Sequence, residues 1–246
     1  MRRTLMIIST TALVLIFVVH LIAQAAGWTT VLELSLVALM PLLIISVLSH
    51  ARRVDRQLTL VVVALVFSWL GDSMGTALVR EVLVAVGLPW LDALVVGAFL
   101  VKLGFFLLAQ ICYILAFVPM WRRSVLHTRR WLLLPYAASV VVISGLLLPY
   151  AAALAGAIVA YAVVIAVMAV LATGGGRAAA IGGVLFMLSD TLVAAQQFVP
   201  GVNARITGVL IMATYVMAQA LLAFTVTRRG GQHAGGDGAG SERCGQ

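Results

Sequence analysis

Three ionisable side chains stand where hydrocarbon is expected on both sides. They are Asp72 in "FSWLGDSMG", Lys102 in "FLVKLGFF" and Asp190 in "LFMLSDTL". An ionisable residue inside an apolar run is costly to bury and by default points to function. Two carboxyls brought together at low dielectric do not both ionise, so one keeps its proton while the other is an anion. That is an acid and a base in one pocket, able to protonate a substrate and to direct water onto it. Lys102 could hold one carboxylate ionised, or snorkel to the interface. The plainer reading of each aspartate is a polar contact between helices. Two in matching contexts favour chemistry: "WLGDSM" and "MLSDTL" align on a leucine, a small residue, the aspartate and a hydroxyl (Ser73 or Thr191).

Other chemistries lack their residues. No H-E-x-x-H, G-x-S-x-G or P-loop pattern occurs. His20 lies in a span, and His50, His127 and His233 lie in loops or tail without triad or zinc spacing. Cys112 and Cys244 are too few and too far apart for a disulfide framework or metal site. An intramembrane aspartyl protease also uses two aspartates, but Trp69 stands where its G-x-G-D element has the first glycine.

The elements that must position these residues are spanning helices. The chain of 246 residues is 63% hydrophobic and 10% charged, with a mean hydropathy of +1.16. Soluble domains are nearer half apolar and a quarter charged, so this is an all-α polytopic membrane protein. Apolar runs of about 20 residues predict eight transmembrane helices, near Leu5–Ala26, Thr29–Ser49, Leu58–Val79, Asp92–Met120, Trp131–Tyr150, Ala151–Ala172, Ala178–Val199 and Ala204–Val226.

The net charge of +8 reflects membrane topology rather than nucleic-acid binding. With the N-terminus inside, the inner segments hold Arg2, Arg3, Arg52, Arg53, Arg56, Arg122, Arg123, Arg129, Arg130, Arg177, Arg228, Arg229 and Arg243. The outer loops hold only Arg80 and Arg205. This asymmetry predicts both termini in the cytoplasm. The first span is longer than a signal-peptide core and is kept as a helix. The chain divides into a transmembrane domain, 1–229, and a glycine-rich disordered tail, 230–246, with no apolar face to bury. Asp72 and Asp190 fall on the third helix of each half, which is compatible with a 4+4 internal repeat. Gly71 with Gly75, and Gly182 with Gly183, would let neighbouring helices approach closely. Arginine in place of all lysines but one points to a GC-rich bacterial genome.

At "FSWLGD" (Phe67–Asp72) and "LFMLSD" (Leu185–Asp190) the sequence resembles the lysoplasmalogenase, or YhhN-like, family of integral membrane proteins. "FFLLAQICY" (Phe105–Tyr113), "YAVVIAVM" (Tyr161–Met168) and "IMATYVMAQALLA" (Ile211–Ala223) support the resemblance, which covers most of the eight spans. There are departures: Met40 precedes Pro41 where the family has lysine, Gln110 stands for a histidine, and Lys102 for a small residue. Lys102 is expected to supply from the fourth helix the charge that Met40 cannot.

The resemblance implies hydrolysis of the vinyl ether bond of lysoplasmalogens, giving a fatty aldehyde and a glycerophospho-alcohol, with no metal or organic cofactor. It implies Asp72 and Asp190 as the catalytic acid–base pair. Lys102, Tyr113, Tyr161, Tyr215, Gln219, Ser68 and Ser189 would position substrate or water. The implied partners are a membrane lipid and water, and the implied location is a bacterial plasma membrane, crossed many times. From the residues alone a proton-coupled transporter or a lipid- or solute-binding protein uses the same buried charges equally well. A structural protein whose charges only orient helices is the third class.

Overall fold

The computed structural model describes residues 2–74, 76, 81, 85, 98–149 and 154–229. Asp92, Gly75, Arg80 and the tail 230–246 lie outside the described residues. Among those described there is no strand. The long helices are α1 (Arg2–Ala26), α2 (Thr29–His50), α3 (Arg56–Ser73), α4 (Ala98–Phe117), α5 (Leu133–Leu147), α6 (Ala155–Ala172), α7 (Arg177–Phe198) and α8 (Ala204–Arg229). Short 3-10 turns and one single-turn helix, Val125–Thr128, join α4 to α5.

Local chemistry sets the helix ends. Asp55 caps α3 by accepting from the Leu58 backbone N–H at 2.8 Å. Asn203 does the same for α8, accepting from Arg205 and Ile206 at 3.1 Å. Gly27 and Gly176 carry φ values of 78° and 100° at the α1–α2 and α6–α7 turns, a backbone that strains other residues.

Among the described residues, six helical segments are long and apolar enough to cross a membrane: Arg2–Ala26, Thr29–His50, Val101–Thr128, Ala155–Gly175, Arg177–Phe198 and Ala204–Thr227. The chain is therefore a polytopic membrane protein. Helix α3 falls short of the expected Leu58–Val79 span. It ends at Ser73, Met74 is extended (ψ 126°), and its 18 residues include Arg56 and Asp72. Helix α5 has 15 residues, fewer than a full crossing needs. Leu15, Leu134 and Val141 are all more than 60% exposed, as lipid-facing side chains are.

Helices α1 and α2 run antiparallel, as do α3 and α4. Ser9 pairs with Ser49 and His20 with Ser35 across α1 and α2. Gln57 donates to the Ala116 carbonyl at one end of α3 and α4, while Gly71 abuts Phe105 and Phe106 at the other. Packing continues around the bundle from α4 to α6, α7 and α8, and α8 closes on α1, α2 and α3. Helix α5 lies against α6 and α7.

This register gathers the arginine-rich turns at one end. The Arg2 guanidinium donates to the Ala51 carbonyl. The His50 ring meets Phe224 of α8 at 5.2 Å, and Gly174, just before Arg177, packs on the Met120 carbonyl before Arg122. Arg205 lies at the opposite end, against the Gly27 turn.

Candidate functional site

Asp72 comes from the last turn of α3, where an apolar run meets Gly71. A Cβ at Gly71 would stand 3.1 Å from the Phe106 ring, so the bare backbone is what seats α3 on α4 beside the carboxyl. Asp190 is fixed similarly on α7. Gly182 packs on Ala218, Leu221 and Leu222 of α8, and Gly183 meets Ala169 of α6 so closely that an added Cβ would lie 2.9 Å from its Cα. The glycine pair thus wedges α7 between two helices, two turns from Asp190.

Both carboxyls line one cavity of about 160 Å³. Lys102, Tyr161, Tyr215 and Ser189 line it too. A single water occupies roughly 10–15 Å³ on this scale, so the space takes a segment of ligand. The Tyr215 hydroxyl donates to Asp72 at 2.7 Å, and the Tyr161 hydroxyl donates to Asp190. Each carboxyl therefore has its own tyrosine, one from α8 and one from α6. The two carboxyls interact electrostatically with each other, and each does so with Lys102. Lys102 extends from the second turn of α4, with its ammonium 5.7 Å from the Phe106 ring centroid.

Three of the expected site residues stand one step behind the cavity. Tyr113 donates to the Gln219 carbonyl oxygen, and the Gln219 amide donates to Ser68 at 2.8 Å. Ser68 and Asp72 are one turn apart on α3, as are Tyr215 and Gln219 on α8, so the two antiparallel helices are tied at two successive levels. Ser189 lines the cavity but sends its hydroxyl to the Ile211 carbonyl at 3.2 Å. Thr191 also lines it and bonds back to Met187 of its own helix. Met40 is fully buried in the core, and the cavity cation comes from α4.

Sequence reading missed the apolar walls. Phe106 sits between Gly71 and Tyr215, whose ring it meets edge-on at 5.8 Å. Val140 and Ile143 of α5, Ile158 of α6 and Phe198 of α7 line the cavity as well. Only the α7 members carry a signal, because Ala194 and Phe198 follow Asp190 at successive four-residue steps along one face. Gln110 is also fully buried. Among the described residues no group of three or more His, Cys, Asp or Glu could hold a metal ion.

The arrangement offers two carboxyls, two phenols and one ammonium around a space whose remaining lining is mostly apolar, suited to moving protons onto and off a lipid-soluble molecule. The family model described as YhhN family matches residues 33–226, a stretch that contains every one of these groups. No curated protein and no solved structure matches the chain.

Proposed function

The chain belongs to the YhhN family, which includes lysoplasmalogenases, and from that premise we propose that it is a membrane-embedded hydrolase of the vinyl ether bond of lysoplasmalogens. One observation carries the reading: Asp72 and Asp190 line the same cavity, each held by a tyrosine hydroxyl.

In the proposed reaction, one carboxyl gives its proton to the alkene carbon that is not bonded to oxygen. The alkene electron pair forms the new C–H bond, and positive charge develops on the carbon bonded to the ether oxygen. The other carboxylate stabilises that charge and takes a proton from water as the water oxygen bonds to the same carbon. The product is a hemiacetal. Its hydroxyl proton returns to the first carboxylate, its C–O bond to glycerol breaks, and the glycerol oxygen takes the proton from the second carboxyl. One water is consumed, an aldehyde and an alcohol leave, and both carboxyls return to their starting states. Tyr161 and Tyr215 orient the carboxyls. Gln219, Tyr113 and Ser68 hold Tyr215 and Asp72 in register, Ser189 ties α7 to α8, and Lys102 positions substrate. The wider organisation belongs to the same proposal: eight spans in a 4+4 repeat, both termini cytoplasmic, a tail at 230–246, and a bacterial plasma membrane.

The test is aldehyde release from a lysoplasmalogen by purified protein. Asp72→Asn and Asp190→Asn should each cost at least about a hundredfold in turnover, the scale of general acid–base catalysis. Folded variants that keep near-normal turnover would sink the pair. Proton-coupled uptake into proteoliposomes without lipid turnover would favour a transporter.

A further inference from the structure

Lys102 lines the cavity beside both carboxyls. Both carboxyls already accept from a tyrosine, whereas the Lys102 ammonium rests over the Phe106 ring. It is the one lysine of the chain, and among the described lining residues it is the one cation. An ammonium has three donors and no acceptor. At low dielectric such donors are costly to leave without an anion. The carboxylate that is ionised in the proposed reaction offsets the charge at a distance but leaves the donors for another group.

Resting on the hydrolase reading of this cavity, we propose that Lys102 is a specificity-determining residue that binds the phosphate of an anionic lysolipid. The site thereby prefers glycerophospho-lipids with one chain to neutral glycerol ethers of the same chain. Lys102 lies on the helix that seats Asp72 through Phe106 and Gly71. The phosphate and the first glycerol oxygen of such a lysolipid are separated by three carbons, so the one cavity that Lys102 and both carboxyls line can take the two together. Ile143, Ile158, Ala162 and Ile165 form an apolar part of the wall that suits hydrocarbon.

The probes are stable analogues that cannot be hydrolysed: 1-O-alkyl-glycero-3-phosphate and the 1-O-alkylglycerol of equal chain length. Both lack an amine, so the phosphate is the only difference. Binding is measured on the full-length protein in detergent. Wild type should bind the phosphate about tenfold or more tighter, the scale of a hydrogen bond to a charged group. Lys102→Met should abolish that preference, and Lys102→Arg should keep most of it, which also guards against a misfolded Met variant. Equal weakening of both probes in Lys102→Met would overturn the proposal and make Lys102 a partner of the carboxyls. So would a preference that survives the substitution, or none in wild type. If the preference depends on Lys102 but no vinyl ether is cleaved, the hydrolase reading fails and the phosphate site stands. If vinyl ethers with and without phosphate are cleaved alike by wild type and Lys102→Met, the reverse holds.

Discussion

Asp72 and Asp190 do not stand alone, and their tyrosines can be removed without removing the carboxyls. Tyr215→Phe takes away the hydroxyl that donates to Asp72, and Tyr161→Phe the one that donates to Asp190. Each ring stays to fill its space, so folding should persist while turnover falls by roughly tenfold to a hundredfold, the range of a charge-assisted hydrogen bond. The two variants also separate roles. In a bell-shaped pH–rate profile, the limb moved by Tyr215→Phe belongs to Asp72 and the limb moved by Tyr161→Phe to Asp190. Unmoved limbs with a full rate in both variants would leave the tyrosines as packing groups only. The carboxyls were legible in the sequence because each is the sole acid of its apolar run, where hydrocarbon makes any charge conspicuous. Tyr113, Gln219 and Ser68 were legible as polar groups at depth but not as a layer behind Tyr215 and Asp72, since a phenol or amide serves either place. Phe106, Val140 and Ile143 gave no signal, because an apolar residue facing a cavity has the same type as one facing lipid.

At the scale of elements, the α6–α7 contact decides where Asp190 meets Tyr161. Gly183 has no room for a side chain, since a Cβ would stand 2.9 Å from the Ala169 Cα and 3.1 Å from its Cβ. Gly183→Ala must push the two helices apart, and overpacking of this kind costs about 1–3 kcal/mol. Turnover should fall with stability, because the tyrosine–carboxyl contact lies two turns along the same interface. Gly145→Ala on α5 is the control: nothing lies within 4 Å of its added Cβ, so thermal unfolding and turnover should be unchanged or slightly improved. Equal behaviour of the two variants would refute the wedge. Helix positions followed from apolar runs and from caps such as Asp55, but the end of α3 did not. Its run continues past Met74 without proline or charge until Arg80, so periodicity carried the expected helix to Val79. The chain instead leaves the helix one residue after Asp72–Ser73, which puts the carboxyl in a terminal turn.

For the molecule as a whole, the arginine-rich turns define one end and Arg205 the other, and in the proposed topology, which follows the positive-inside rule, the first faces the cytoplasm. Exposed positions make this testable in intact cells. Arg205→Cys should react with a membrane-impermeant thiol reagent, and Arg52→Cys only after permeabilisation, with Cys112 and Cys244 replaced beforehand. The opposite pattern would invert the bundle. Sidedness then has a chemical consequence. Asp190 is 13 residues from the Arg177 end of α7 and 8 from its Phe198 end. At 1.5 Å per residue that is about 20 Å against about 12 Å. Asp72, in the last turn of α3, lies at the same far end. In the proposed reaction the lysolipid keeps its ether oxygen close to the headgroup, so the leaflet at the Arg205 end would bring the bond to the carboxyls over the shorter path, with less hydrocarbon for the phosphate to cross. Lysoplasmalogen added to right-side-out vesicles should therefore release aldehyde without delay. Inside-out vesicles should respond only as the lipid crosses the bilayer, and a lipid scramblase should abolish the difference. Faster turnover from the arginine end would mean that the substrate reaches Asp72 and Asp190 through the longer half of the bundle.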